Sequence, residues 1–289
     1  MTRRDILTAV PVAFHENGEL DLSGSREILE FVALSGNEGA FVLGTTGEFP
    51  SLSFEERGEL VAASLEILSP VMRVVVHVGG ASTYDAIRYV RQARAAGATE
   101  IAVLTPYYLK ATDASLLAYF RAIAEESDGL AVYVYVFQAV SGNFISNELM
   151  ARLAVLPNVV GGKISDEPLA QIAAYRAVVP EDFILYTGSD RDLAIAESYG
   201  AQGVISGISS VLPKPFRALR AAAESGDRVA IDQAQSHVDD AVDTIQGNMA
   251  RMKAAYRVLG VNGGVVRMSI EAPDAAALVE IERVVAAYS

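Results

Sequence analysis

Short apolar runs rich in β-formers alternate with stretches of helical periodicity from the start of the chain to about residue 225. The runs at 6–12, 40–43, 73–78, 100–104, 131–135, 159–163, 183–186 and 203–205 are bounded by glycine, proline or polar residues, the pattern of buried strands. Between them, helices are expected near 25–34, ended by Gly36, and from Ser53 to Leu68, where Ser53 and Glu56 stand three apart and can form a capping box. Others are expected from Ser82, with Asp85 at the matching position and Gly97 at the end, and over 115–126. Strands apolar on both faces and separated by helices form parallel sheets, and eight of them can close on themselves. The expected fold is therefore α/β, a (β/α)8 TIM barrel over residues 1–225. A doubly wound open sheet competes, but the glycine-rich dinucleotide turn it would carry after its first strand is absent. Beyond 225 the strands stop. Segments 227–246, 248–259 and 272–288 read as helices, so 226–289 is expected to be a C-terminal helical extension.

Composition narrows the class. The chain has 289 residues, within the range of one such barrel, and 51% of them are hydrophobic, enough for a large core. A net charge of −13 argues against nucleic acid and against an anionic membrane surface, while leaving room for a small anionic substrate. With no cysteine there are no disulfides and no thiolate chemistry. The start, Met1-Thr2-Arg3-Arg4-Asp5, lacks a leader's apolar run, and no later run approaches the ~18 residues of a membrane span. A soluble, cytoplasmic protein is expected.

In barrels of this kind the working face is the rim at the C-terminal ends of the strands. The chain puts unusual polar residues there: Thr45, Thr46 and Glu48 after strand two, Tyr107 and Tyr108 after strand four, Tyr135 on strand five, Lys163 on strand six, Ser189 and Asp190 after strand seven, and Ser206 on strand eight. Each has an ordinary reading alone: a lysine whose tip reaches water, a threonine satisfying a turn, an aspartate capping a helix. Gathered on one rim they suggest a site. An ammonium held against apolar walls loses hydration, which favours the neutral amine that attacks ketones to form a Schiff base. The Gly44-Thr45-Thr46-Gly47 turn exposes amides and two hydroxyls able to hold a carboxylate. Tyr135, one strand from Lys163, can shuttle a proton. His15, His77 and His237 are scattered, with no metal-ligand spacing, so no metal is expected.

The ordered motifs Gly-Thr-Thr-Gly-Glu (44–48), Thr-Pro-Tyr-Tyr (105–108), strand-end Tyr135, Gly-Gly-Lys (161–163) and Gly-Val-Ile-Ser-Gly (203–207), with Gly188-Ser189-Asp190, resemble the dihydrodipicolinate synthase / N-acetylneuraminate lyase family over nearly the whole chain. The resemblance implies that Lys163 forms the Schiff base with pyruvate and that Tyr135 is the acid/base. It implies that Thr45 and Thr46 serve the pyruvate carboxylate and the proton relay, with Gly47 of the same turn a candidate substrate-binding residue, and that the carbonyl of Ile205, beside Ser206, faces the site. It further implies that Tyr108 is lent across a subunit interface in a homotetramer, a dimer of dimers, and that no cofactor beyond the lysine is used.

The departures bear on the second substrate. Where synthases of the family carry an arginine for aspartate semialdehyde, this chain has Val140, in Tyr135-Val136-Phe137-Gln138-Ala139-Val140-Ser141-Gly142. A valine cannot make a bidentate hydrogen bond. The expectation is a pyruvate-dependent lyase cleaving a 2-keto-3-deoxy sugar acid or related 2-oxo acid. A dehydratase of the same acids and dihydrodipicolinate synthase are alternatives, and a non-catalytic 2-oxo acid sensor lies outside the class. Val12-Ala13-Phe14, Val136 and Gln138 also depart from the family pattern, without a physical account.

Overall fold

A computed structural model describes residues 4–289; Met1 to Arg3, part of the start read above as lacking a leader, lie outside the described residues. Strands β1 (Asp5–Ala9), β2 (Gly39–Val42), β3 (Arg73–His77), β4 (Glu100–Leu104), β5 (Ala131–Val136), β6 (Val159–Ile164), β7 (Ile184–Thr187) and β8 (Gly203–Ser206) form a closed barrel in chain order. Neighbouring strands pair in parallel from β3 through β8, and β1 pairs in parallel with β2. The fold is thus the (β/α)8 TIM barrel expected from the alternation. The first helices are α1 (Leu22–Ala33), α2 (Phe54–Leu68), α3 (Thr83–Ala95) and α4 (Asp113–Glu126). After them come α5 (Gln138–Ser141), α6 (Asn147–Leu153), α7 (Leu169–Arg176) and α8 (Pro213–Ser225). Helices α9 (Arg228–Ile245), α10 (Met249–Val258) and α11 (Ala275–Tyr288) close the chain. No described helix is long and apolar enough to cross a membrane.

Local chemistry explains the boundaries. Helix α2 begins at the Ser53/Glu56 capping box, with both reciprocal bonds present. At α3 the Ser82 hydroxyl oxygen accepts from the Asp85 amide. Helix α1 starts three residues before the expected 25 because the Asp21 carboxylate caps it, accepting from the Gly24 amide at 2.8 Å. Strand β6 runs one residue past Lys163.

By its contacts the chain divides into two compact units, residues 75–204 and residues 4–74 with 205–289. In the first, β4 to β7 form a continuous parallel ladder whose side chains are almost all buried, with α3 packed on α4 and α6 on α7. In the second, β1 pairs with β2, α1 packs on α2, α8 on α9, and α11 on both α9 and α10.

Candidate active site

In the first unit, strand register brings the key residues side by side. Leu104 of β4, Tyr135 of β5, Lys163 of β6 and Tyr186 of β7 are successive partners across the ladder, so their side chains share one face of the sheet. Gly161 makes this layer possible. A Cβ there would lie 2.4 Å from the Ile184 carbonyl oxygen and 2.7 Å from the Tyr133 ring. Lys163 is 5% exposed, and its Nζ sits 4.4 Å from the centroid of the buried Tyr135 ring, on its π-face. The His77 imidazole meets Tyr135 edge to face at 6.0 Å, and His77 Nε2 accepts from the Leu104 amide at 3.4 Å. An amine, a phenol and the packing that orients the phenol therefore occupy one buried layer.

The loop after β4 is held by a residue the sequence did not single out. Asn143 donates from Nδ2 to the carbonyls of Pro106 (2.7 Å) and Leu109 (2.9 Å) and accepts on Oδ1 from the Ala111 amide (2.7 Å). Thr105 Oγ1 donates to Ser141 Oγ at 2.8 Å. The loop so fixed presents Tyr108 outward, 92% exposed and at φ 80°, while Tyr107 is half-buried. Beneath it, the Tyr119 hydroxyl lies 3.3 Å from the carbonyls of Gly80 and Leu104, and burial pushes its ionisation above the ordinary tyrosine range. Val140 is exposed on the one-turn helix α5. After β7, the Thr187 hydroxyl accepts from the Ser189 amide at 3.1 Å, and Asp190 opens a short 3-10 turn; both Ser189 and Asp190 are half-buried.

In the second unit, Thr45-Thr46-Gly47 form a 3-10 turn closed by the Gly47 amide on the Gly44 carbonyl (3.0 Å) and the Glu48 amide on the Thr45 carbonyl (2.9 Å). Both threonines are half-buried and Gly47 is buried. The strand-end residues Ile205 and Ser206 are buried, and the Ser206 hydroxyl accepts from the Ser209 amide at 2.9 Å, so it closes a turn. A Cβ on Gly207 would stand 3.3 Å from Thr46 Oγ1, so the turn after β2 and the end of β8 are close neighbours. Glu48, read from sequence as a rim residue, points instead into the interior. Fully buried, it receives Lys253 Nζ of α10 at 2.6 Å. Lys253 was not singled out either. On an amphipathic helix a lysine reads as surface, and nothing in a single sequence pairs it with Glu48.

Among the described residues no group of three or more His, Asp or Glu is placed to hold a metal. His15 is largely exposed, 3.7 Å from Asp21, and His237 stacks on Tyr288 at 5.2 Å.

Comparison with known proteins gives the family and the fold. The sequence matches the dihydrodipicolinate synthetase family over residues 2–287. It is 33% identical over 269 residues to 4-hydroxy-tetrahydrodipicolinate synthase of Nitrosospira multiformis, spanning 91% of this chain and 88% of that one. Among solved structures, dihydrodipicolinate synthase of Thermotoga maritima superposes with a TM-score of 0.90 at 30% identity, covering 99% of each chain. N-acetylneuraminate lyase of Mycoplasma synoviae superposes with a TM-score of 0.90 at 22% identity, covering 99% of this chain and 98% of that one, a likeness of fold.

Proposed function

The chain belongs to the dihydrodipicolinate synthetase family, and from that premise we propose that it is a pyruvate-dependent Schiff-base lyase acting on a 2-keto-3-deoxy sugar acid or a related 2-oxo acid. The observation that carries this reading is Lys163 Nζ, buried and 4.4 Å from the centroid of the Tyr135 ring. The Lys163 amine adds to the C2 carbonyl, and loss of water gives an iminium. Tyr135 takes the proton from the C4 hydroxyl, the C3–C4 bond breaks, and its electrons move into the iminium to leave an enamine while the aldehyde departs. Protonation of the enamine at C3 and hydrolysis return pyruvate and the free lysine. Thr45, Thr46 and Gly47 are assigned to the substrate carboxylate, and the Ile205 carbonyl to the reacting end of the substrate. Ser189, Asp190 and Ser206 are assigned to the remainder of the pocket. No cofactor other than the lysine itself takes part in this scheme.

Val140 separates this reading from a second one. Dihydrodipicolinate synthase, condensing pyruvate with aspartate semialdehyde, is favoured by the names of the relatives that are 33% identical to this chain. It is disfavoured by an exposed valine where synthases carry a carboxylate-binding arginine, because a hydrocarbon offers no donor to the semialdehyde carboxylate. A dehydratase would use the same lysine and lose water in place of an aldehyde. A coupled assay for pyruvate release from 2-keto-3-deoxygluconate and a panel of such acids tests the choice. Release supports the lyase. Silence across the panel together with consumption of pyruvate and aspartate semialdehyde overturns it in favour of the synthase.

A further inference from the structure

Glu48 and Lys253 form a fully buried ion pair in the second unit. The two side chains are 0% and 1% exposed, and taking both charges out of water costs more than a hydrophobic pair of the same volume would. What the pair supplies is geometry. Glu48 Oε1 accepts from Lys253 Nζ at 2.6 Å, and Oε2 accepts from the amides of Arg267 (2.8 Å) and Met268 (2.7 Å). Lys253 Nζ also donates to the Val265 carbonyl at 2.7 Å and lies 4.8 Å from the centroid of the Phe14 ring. Burial pushes the Lys253 ammonium down, and the facing Glu48 carboxylate opposes that shift. Both oxygens of the carboxylate are thus tied to α10 or to the 265–268 segment that follows it.

The backbone of the same residue closes the threonine turn. Glu48 adopts φ 53°, a left-handed conformation unfavourable for a residue with a side chain, and in it donates to the Thr45 carbonyl. The neighbour of Lys253 reaches the turn from the other side. The Met252 methyl would stand 2.9 Å from a Cβ on Gly207, the same point that lies 3.3 Å from Thr46 Oγ1. The Met252 methyl and the Thr46 hydroxyl thus both border Gly207, so α10 and the threonine turn share a neighbour.

We propose that the buried Glu48–Lys253 pair is a positioning device for the Thr45-Thr46-Gly47 turn, with Lys253 and Glu48 setting the affinity for the carboxylate of the 2-oxo acid without touching it. The proposal rests on the Schiff-base reading above. Its test compares two ketones of nearly the same shape, pyruvate and methyl pyruvate, the second lacking the carboxylate charge. Borohydride trapping at Lys163 is titrated with each, in the unsubstituted protein and in Glu48→Gln. It is repeated in the charge-free double variant Glu48→Gln/Lys253→Met, which leaves no unpaired buried charge to prevent folding. In both variants the half-saturating pyruvate concentration rises about tenfold or more, as loss of a charge-assisted hydrogen bond gives, while that for methyl pyruvate stays unchanged. A parallel rise for both ketones, or an unchanged pyruvate titration in the double variant, overturns the proposal. Absence of any Lys163 adduct in the unsubstituted protein is a separate outcome; it removes the Schiff-base reading and this inference with it.

Discussion

At the residue scale, function is proposed to rest on Lys163 and Tyr135, and the two make separable predictions. Tyr135→Phe keeps the ring on which Lys163 Nζ sits and removes only the hydroxyl. It should still be trapped with pyruvate by borohydride while turnover falls ~10²-fold or more, as general acid/base losses go. Loss of trapping in Tyr135→Phe would mean that the phenol is needed for iminium formation itself. Lys163 and Tyr135 were legible from sequence as strand residues, because both stand on apolar β-runs; that they share a site was an expectation drawn from their joint position and the family resemblance. Asn143, Glu48 and Lys253 were not. Their roles are made of contacts between distant segments, and each has a bland local reading as a loop polar residue, a turn carboxylate or a helix-surface lysine.

Elements came through the sequence unevenly, and the reasons are physical. Strands β4 and β5 were placed to within a residue because parallel strands buried on both faces read as unbroken apolar runs. Helices α2 and α3 were placed by their caps. Helices α6 and α7 are seven and eight residues long, too short for a periodicity to stand out, and were not delimited from sequence. Two predictions belong here. Gly161→Ala should destabilise the protein by roughly 1–3 kcal/mol or more, since its methyl must displace the Tyr133 ring or the β7 backbone; an unchanged urea midpoint contradicts the packing account. The second concerns Arg267, which donates to both carboxylate oxygens of Glu56 and ties the 265–268 segment to the start of α2. The Arg267 guanidinium holds the Glu56 carboxyl below the ordinary glutamate range, chiefly by hydrogen bonding. A carboxyl depressed in the folded state contributes stability above its unfolded value, about 4.3, and that contribution is lost as pH falls through the folded one. Denaturation midpoints followed from neutral pH downward should therefore fall less steeply in Glu56→Gln than in the unsubstituted protein. Parallel slopes would contradict it.

For the whole molecule, the barrel followed from the βα alternation together with the missing dinucleotide turn, because eight apolar strands with intervening helices leave few other topologies. Assembly did not follow from pattern. The expectation of a tetramer came from the family resemblance, and Tyr108 and its neighbour Leu109 are displayed outward on a loop pinned by Asn143. If Tyr108 is lent to a neighbouring subunit, Leu109→Asp should shift sedimentation to smaller species and lower turnover together. A smaller assembly with undiminished turnover contradicts the lending of Tyr108.

Borohydride reduction in the presence of pyruvate, followed by peptide mass mapping, asks whether Lys163 carries the substrate as an iminium. One adduct should form, on the peptide containing Lys163, and none in Lys163→Ala. An adduct on any other lysine, or none at all in the unsubstituted protein, would contradict the Schiff-base reading.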